Sequence, residues 1–534
     1  MKQLLIKKEN NYLNVILFAI TIVLVLLITA CSKGDVTSNS TTDTDSTGTG
    51  GTNTGSTSGS TIAISDVSTV TTGAVGNTDS AANADDLLAN STFGSTVSLV
   101  FNGNSATVSN PLTTVSVITN NDTSFIINAT AEGVEYVLSG TSSKTVKIYS
   151  TKKFKLTLNG VSITSTNGPA INIQSSKRVF VVLADGTTNS LTDNATYTAY
   201  NNGTEEEDMK AALFSEGQLI FSGNGTLNVK GNYKHGIASD DYVRVISGTI
   251  NITGAVTDGV HTNDAFIADG GTVSITAGSD AIECEEGYVV INGGTYTLNA
   301  GDDGIAASWE TDATIDPYVT INGGIITVNS TGGEGIESKS TLTINGGNIT
   351  LNTKDDCINA IKYLYINGGN IYGVATNNDA IDANGPVTIT GGKIVVVGAN
   401  SPEASFDTDR KTFKITGGII VGIGGGAASP TASVSTQPSV RLGSTTANQI
   451  FHIESSDGAE ALTFLVPKST STMLFTSPKL KSGTQYVIYT GGSVANGTSF
   501  NGLYTSGTYT KGTKSSTSFT TSTMFTMVGG SEAP

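Results

Sequence analysis

The chain has 534 residues and a formal net charge of −17, and only 14% of its residues are charged. Gly accounts for 63 residues, and Ser, Thr, Asn, Val and Ile are abundant, which is typical of strands and turns rather than of helices. The negative charge argues against a nucleic-acid partner, because binding to phosphates requires a basic surface.

An amino-terminal export signal is predicted over residues 1–30. Three lysines within the first eight residues precede an apolar run over 15–28, as in a signal peptide. The run ends in Ile28-Thr29-Ala30-Cys31. This ending resembles a bacterial lipobox, so Cys31 is expected to become the first mature residue and to carry a lipid. An uncleaved transmembrane anchor is the alternative. In both cases we expect export and tethering to a membrane, at the outer membrane or cell surface.

Residues 31–95 are predicted to form a flexible linker that follows the anchor. Between residues 32 and 62, Ser, Thr, Gly, Asn and Asp leave almost no apolar side chain. Such a segment cannot bury enough surface to offset the entropy of ordering it, and it behaves as a flexible coil. We expect it to hold the following domain away from the membrane surface.

A short phrase, an acidic residue followed by a small residue and then Ile or Val, recurs through the middle of the chain. Its acidic residues are Asp258, Asp280, Asp303, Glu334, Asp356 and Asp379. Successive copies lie 22, 23, 31, 22 and 23 residues apart, and the long interval contains the insertion 308–317. A second phrase, Ile-Asn-Gly-Gly, recurs about ten residues after the first, for example at 291–294 and 344–347.

A unit of 22–23 residues accommodates two or three short strands with their turns. The sequence therefore predicts an all-β fold, a right-handed single-stranded parallel β-helix with one repeat per coil and coils about 4.8 Å apart. The β-helix and its amino-terminal cap are predicted over 96–411, with 96–150 as that cap. The last coil and a β-rich carboxy-terminal cap are predicted over 412–534. A leucine-rich solenoid lacks support because its LxxLxL pattern is missing, and a propeller blade needs about 40 residues.

Several longer phrases resemble a family of secreted bacterial carbohydrate-binding β-helix proteins that are related in fold to pectate lyases. These phrases are Leu158–Ile163, Gly168–Ile171, Leu183–Asn189, Ala211–Ser215, Gly231–Ser239 and Tyr486–Gly492. The resemblance covers the chain from about residue 96 to its end. It implies a calcium-containing binder of acidic plant polysaccharide, similar to polygalacturonate or pectin, and of cellulose.

The acidic residues of the repeat are the candidate binding chemistry. Residues 236–400 contain 20 Asp and Glu but five Lys and Arg, a net charge of −15. In a β-helix, equivalent carboxylates stack coil on coil and repel one another, and calcium held by oxygen ligands can neutralise them. The predicted calcium ligands are Asp258, Asp280, Glu283, Asp302, Asp303, Glu334, Glu337, Asp355, Asp356, Asp379 and Asp382. The alternative is that the aspartates bond backbone N–H groups at the turns and water screens their charge.

Non-catalytic polysaccharide binding is the favoured function, and a pectate-lyase-like activity is the alternative. A lyase of that kind needs an Arg or Lys base, and within the repeat Arg244 is the only Arg, while Lys339 and its neighbours occur singly. A hydrolase of the polygalacturonase type would require His-Gly and Arg-x-Lys motifs after its aspartates. Here His235-Gly236 precedes the paired aspartates at 302–303 and 355–356, and no Arg-x-Lys lies nearby. A second alternative is a surface adhesin for protein partners. We expect a monomer.

The only Trp, Trp309, is the candidate sugar-stacking residue. It lies in the acidic insertion 308–317, where few apolar neighbours are available for packing. Tyrosines such as Tyr288 and Tyr363 alternate with apolar strand residues and are predicted to be structural.

Overall fold

A computed structural model describes residues 59–64, 73–199, 206–309 and 311–534. The predicted signal peptide, Cys31 and the first part of the linker lie outside these residues. The described chain is almost entirely β-structure, with two 3-10 turns at Ala84–Asp86 and Leu88–Asn90. Among the described residues, no helix has the length and apolar character needed to cross a membrane. The predicted parallel β-solenoid is confirmed.

Each coil of the solenoid contributes one strand to each of three sheets. The first sheet has twelve strands, parallel except for the pairing between its first two. Its strands are Val115–Ile118, Ser124–Ala129, Thr145–Ser150, Ile171–Gln174, Ala211–Ser215, His235–Ser239, Val260–Thr262, Ile282–Cys284, Ile305–Ala307, Ile336–Ser338, Ile358–Ala360 and Ile381–Ala383.

The second and third sheets follow the first within each coil. The second sheet comprises Val179–Leu183, Leu219–Gly223, Tyr242–Val245, Ala265–Ala268, Tyr288–Ile291, Tyr318–Ile321, Thr341–Ile344, Tyr363–Ile366, Val387–Ile389 and Phe413–Ile415. The third comprises Thr188–Thr192, Thr226–Gly231, Thr249–Ala255, Thr272–Ala277, Thr295–Ala300, Ile325–Ser330, Asn348–Thr353, Asn370–Ala375, Lys393–Val397 and Ile419–Gly424. In the earliest coils the long strands Ser95–Gly103, Val134–Ser142 and Phe154–Thr164 pair in parallel, and Ser105–Ser109 folds back on the first of them.

The repeated phrases explain this architecture. The Ile of the first phrase points inward, so that Ile282, Ile305 and Ile336 stack in the core with no exposed surface. The second Gly of the Ile-Asn-Gly-Gly phrase takes a positive φ, 97° at Gly294 and 99° at Gly347. A side chain is disfavoured in that conformation, so the phrase marks the corner between the second and third sheets.

The carboxy-terminal cap packs against the outer face of the last coils. Thr472–Thr476 runs antiparallel to Ile419–Gly424 and continues the sheet through Ser439–Leu442 and Phe525–Met527. A separate antiparallel sheet is formed by Ser60–Ala63, Ile450–Ser455, Glu460–Leu465, Gln485–Thr490, Ser493–Phe500, Leu503–Thr510 and Thr513–Thr520. Val395, Val421 and Phe464 belong to the apolar cluster that joins this sheet to the solenoid.

The segment before the solenoid runs back along its side. Ser60–Ala63 pairs with Leu503–Thr510 in the cap, and residues 73–86, here named the strap, lie on the second sheet. The Asn side chains of the Ile-Asn-Gly-Gly phrases bond one another and donate to strap carbonyl oxygens. These bonds join Asn367 to Val75, Asn345 to Asn77, Asn322 to Asp79 and Asn292 to Ser80, at 2.7–3.0 Å. The predicted flexible linker over 31–95 therefore differs from the structure at residues 59–64 and 73–95, because partners distant in sequence hold them.

A buried carboxylate fixes the end of the strap. Asp86 has no exposed surface, and its oxygens lie 2.8 Å from Nε of Arg178 and 3.2 Å from Nη1 of Arg244. Tyr242 donates its hydroxyl to the same carboxylate at 2.6 Å. Asp86 thus joins the strap to two coils of the second sheet.

We predict that Asp86→Asn destabilises the protein by on the order of 3 kcal/mol, because it leaves the charges of Arg178 and Arg244 without this buried partner. Denaturant unfolding measures the effect. Asp85→Asn is the matched control, since Asp85 is exposed on the same turn and should change stability little. Equal stability of the two variants would contradict a locking role for Asp86.

Candidate functional site

Six of the predicted carboxylates form a row along the edge of the first sheet, here named the acidic row. Each of them lies two residues before an inward-facing Ile or Val of that sheet. All are buried except Glu334, which is half-buried. The row consists of Asp258, Asp280, Asp303, Glu334, Asp356 and Asp379.

Aspartates of the acidic row bond the backbone of the following coil. Asp258 accepts the N–H of Asp280 at 3.2 Å, and Asp280 accepts the N–H of Asp303 at 2.8 Å. Asp303 accepts from Glu334 at 2.7 Å, and Asp356 accepts from Asp379 at 2.9 Å. These bonds use one oxygen of each carboxylate, so turn-capping accounts for part of the row.

A second row lies one position beyond the inward-facing Ile or Val, on the outer face of the first sheet. Strand register stacks its members in the order His261, Glu283, Ala306, Glu337, Asn359 and Asp382. The predicted ligands Glu283, Glu337 and Asp382 therefore share one column. The second row adds a polar side chain next to the acidic row on every coil except the one that carries Ala306.

The amino-terminal end of the two rows holds its own cation. Nδ1 of His261 lies 3.2 Å from Asp258 and 3.1 Å from Glu283, and its Nε2 lies 3.0 Å from Glu285. Burial would lower the pKa of His261, but these three carboxylates outweigh it and raise the pKa to about 11. The His261 imidazolium is therefore one counter-charge at this end, where carboxylate oxygens of Asp258, Asp280 and Glu283 also lie within 4.8 Å of one another.

His235 stacks on His261, with ring centroids 4.2 Å apart. Burial lowers the pKa of His235 to about 4, and its Nδ1 lies 2.9 Å from Asp258. Burial alone would raise the pKa of Asp258, but the bonds to the two rings hold that pKa well below its usual range. Near-parallel rings cannot both direct a nitrogen lone pair at one ion, so this pair is poorly arranged for a metal.

The carboxy-terminal end of the rows has no such cation among the described residues. Carboxylate oxygens of Asp379, Asp382 and Asp407 all lie within 4.8 Å of one another. Nearby in the second row, Asn359 gives its amide N–H to Asp356 at 3.3 Å, while its Oδ1 is buried without a hydrogen-bond partner. Asp407 was not predicted from the sequence because the acidic, small, Ile/Val phrase does not recur around it.

The remaining predicted ligands lie in the middle of the rows. Asp302 and Asp303 approach the same glycine backbone, since a Cβ at Gly333 would lie 2.2 Å from Oδ1 of Asp303 and 2.5 Å from Oδ1 of Asp302. Glu337 pairs with Lys339, a partial counter-charge. The side chain of Asp355 accepts a hydrogen bond from Asn378 on the next coil. These predicted ligands lie on the same face but are not within one three-carboxylate cluster of the described chain.

Burial and mutual repulsion raise the pKa of several carboxylates in the acidic row. Burial, with a contribution from neighbouring carboxylates, raises the pKa of Asp280 to about 8 and that of Asp356 to about 9. The same causes raise the pKa of Asp379 to about 7. A cation bound among these groups would favour their charged forms.

A pocket of about 340 Å³ opens beside the amino-terminal end of the rows. Its walls include Lys234, His261, Glu283 and Trp309. Trp309 is 43% exposed, and it pairs with Glu286 of the preceding coil through a β-bridge. The structure thus brings the predicted sugar-stacking residue to charged side chains of the rows.

Two further pairs of stacked tyrosines differ in whether a ring face is available to a sugar. Tyr233, adjacent in sequence to Lys234, is 42% exposed and stacks on Tyr197 at 4.0 Å, so it adds an aromatic surface that sequence reasoning missed. Tyr288 and Tyr318 stack on each other at 4.8 Å with an interplanar angle of 2°. Because their faces cover one another, these two tyrosines support the coils rather than offering a face to a sugar.

Arg244, a candidate lyase base, lies away from this face. It bonds Ala81 of the strap at 2.7 Å and pairs with Asp86 and Asp269. Its side chain is buried, so it belongs to the strap attachment on the second sheet.

Comparisons with known proteins found a family match and one relative. Residues 120–375 match the model of a family described as "Carbohydrate-binding domain-containing protein". The family resemblance predicted from the sequence is confirmed. A relative of the same description from Acetivibrio thermocellus is 33% identical over 90 residues, which are 17% of this chain. The chain covers 31% of that relative's length.

A solved structure was also found, the polysaccharide lyase-like protein from C. thermocellum as a gadolinium derivative. It is 28% identical, with a TM-score of 0.41, and the match covers 47% of this chain and 96% of that one.

The stacked geometry predicts that two substitutions of Asp280 change the stability of the protein by different amounts. Asp280→Asn keeps an oxygen that can accept the N–H of Asp303 and buries no charge, so we expect no loss of stability in buffer with a chelator. Asp280→Ala leaves that buried N–H unpaired and should cost about 1–3 kcal/mol. Denaturant unfolding of both variants gives the comparison. Equal destabilisation would show that the backbone bond is not what Asp280 contributes.

Proposed function

We propose that this protein is a non-catalytic, calcium-dependent binder of acidic plant polysaccharide, similar to polygalacturonate or pectin, that also accepts cellulose. The observation that carries the proposal is the pair of stacked carboxylate rows next to an open pocket with an exposed Trp. The family match and the name of the relative support carbohydrate as the ligand class.

The donor set at the carboxy-terminal end of the rows fits calcium. Calcium prefers oxygen ligands in irregular arrangements of six to eight. Asp379, Asp382 and Asp407 would supply carboxylate oxygens, and the unpartnered Oδ1 of Asn359 is a neighbouring amide oxygen of the kind that calcium accepts. When bound, calcium supplies positive charge to a face that is otherwise negative.

The positive charge of bound calcium would determine whether a negatively charged ligand can bind. Bare carboxylate rows repel a polyuronate, because each of its sugars is negatively charged. The residues of the rows would hold the ion, and the outer side of the face would be left to the ligand carboxylate. A neutral glucan would instead depend on Trp309, whose ring can pack on the C–H surface of a sugar.

The export signal predicted over residues 1–30 would bring this binding to the cell surface. Lipidation at Cys31, which lies outside the described residues, would hold the protein at the outer membrane or cell surface. The Ser/Thr/Gly-rich segment after Cys31 would let the solenoid reach a polysaccharide away from that surface.

Removal of calcium should lower the melting temperature, because an ion that binds the folded state stabilises it. With calcium at about 100 times its Kd, the expected shift is on the order of 5 °C. Asp382→Asn and Asp407→Asn should each reduce the shift. Asp280→Asn, near the His261 end, should keep it. Scanning calorimetry with calcium and with chelator makes the measurement, and a melting curve indifferent to chelator would remove the calcium claim.

Retention on polygalacturonate at physiological ionic strength should require calcium and should weaken as monovalent salt rises. Retention on cellulose should depend little on either. Trp309→Ala should lower cellulose retention several-fold, whereas Tyr363→Ala, the matched control with a similarly exposed ring, should not. Equal polygalacturonate retention in calcium and in chelator would mean that bound ions serve only to hold the coils together.

A further inference from the structure

The chain is negatively charged overall, but the early coils contain more basic than acidic residues. Residues 96–180 contain seven Lys and Arg against three Asp and Glu, a net charge of +4. Residues 236–400, by contrast, carry −15. Coils follow one another along the solenoid axis, so these two regions lie apart along it. Glu207 and Asp86, outside residues 96–180, pair with Lys147 and Arg178, which lowers the net charge of the early region from +4 to +2 and leaves that excess to attract an anion.

Four cations meet at the corner between the first and second sheets, here named the basic corner: Lys152, Lys153, Lys177 and Arg178. Phe154 pairs with Val179 in parallel register, so Lys153 lies beside Arg178 and Lys152 beside Lys177 on the next coil. Consecutive coils are about 4.8 Å apart. The sequence therefore places a two-by-two array of positive side chains on two neighbouring coils.

Two of these cations are committed to carboxylates and two are available. Arg178 lies 2.8 Å from the buried carboxylate of Asp86, and Lys152 pairs with the exposed Glu132. Lys153 bonds the neutral hydroxyl of Ser91 at 3.0 Å. Lys177 is exposed, and no carboxylate of the described chain forms an ion pair with it. Arg178 and Lys152 are thus paired with carboxylates, whereas Lys153 and Lys177 have no carboxylate partner in the described chain and can bind an anion.

The basic corner lies between two open grooves. One, of about 470 Å³, is lined by Phe93, Glu132, Lys152 and Lys153. The other, of about 540 Å³, shares both lysines and adds Lys177, Arg178 and Gln218. Phe93 packs edge-to-face on Phe180 at 5.7 Å, which holds its half-buried ring at the wall of the first groove.

We propose that the basic corner is a second polysaccharide-binding site, at which Lys153 and Lys177 bind neighbouring carboxylates of an acidic sugar chain directly, without calcium. The inference rests on the proposed function, since it concerns the same class of ligand at another place on the solenoid. Two cations on adjacent coils suit two charges on adjacent sugars of an extended chain. Phe93 and Gln218 offer a C–H-packing surface and a hydrogen-bonding group beside them.

The shape of the corner favours a sugar chain over an anionic membrane. The positive charge is confined to two coils, because Gln218 follows Arg178 at the next coil and hydrogen-bonds Asp241 of the coil after that. A membrane surface would require a broad basic face, whereas a groove flanked by an aromatic ring suits a short stretch of oligosaccharide.

The test is binding of tetragalacturonate to the full folded chain in chelator at low ionic strength, followed by ligand-observed saturation-transfer NMR. We expect measurable binding that fully methyl-esterified tetragalacturonate does not show. The double variant Lys153→Gln/Lys177→Gln should raise the Kd about three- to tenfold. Lys481→Gln/Lys514→Gln, which removes equal charge from the cap, should leave it unchanged. Melting curves should show both variants folded.

The outcomes separate this site from the calcium site. Absence of wild-type binding in chelator, or equal affinity of the corner variant and the cap variant, would overturn the inference. Stronger binding to anionic phospholipid vesicles than to tetragalacturonate, lost in the corner variant, would also overturn it in favour of a membrane contact. Asp382→Asn should not affect tetragalacturonate binding in chelator. The double variant Lys153→Gln/Lys177→Gln should keep the calcium-dependent shift in melting temperature. The calcium site and the basic corner can therefore be disproved independently of each other.

Discussion

Parallel pairing between consecutive coils places equivalent repeat positions about 4.8 Å apart along the axis, and the rest of the structure depends on this constraint. An Ile that recurs every 22 or 23 residues becomes a continuous apolar column, as at Ile282, Ile305 and Ile336. An Asn that recurs at the same interval becomes a hydrogen-bonded ladder, as at Asn322 and Asn345. A carboxylate that recurs becomes a line of like groups whose mutual repulsion opposes folding when they are charged.

The molecule offsets that repulsion differently along the row. Backbone N–H groups of the next coil stabilise one oxygen of Asp280 and of Asp356. At the amino-terminal end, the His261 imidazolium lies among three carboxylates. At the carboxy-terminal end, Asp379, Asp382 and Asp407 converge without a cation of the described chain in an ion pair with them. The difference between the two ends is the physical reason to place calcium at the second of them.

Periodicity was enough to predict the solenoid and the column that contains the acidic residues, because both follow from spacing alone. It could not identify the role of His261, since a His in a column of carboxylates is chemically distinct but occupies an ordinary repeat position. It also missed Asp407, whose surroundings no longer match the phrase. The strap was predicted as part of a linker because its partners, such as Asn367 for Val75, are nearly 300 residues away and its own sequence has no apolar period.

The path of the strap has a consequence for the order in which the molecule is assembled. Coils can form successively as the chain emerges, since each needs only its predecessor. Ser60–Ala63, although it emerges early, pairs with Leu503–Thr510, which emerges almost last. Ser60–Ala63 can therefore pair only when synthesis is nearly complete. The strap can close along the solenoid once the coils up to Asn367 have formed, and until then the Asn ladder is exposed. The first segment of the domain to appear is thus among the last to find its place.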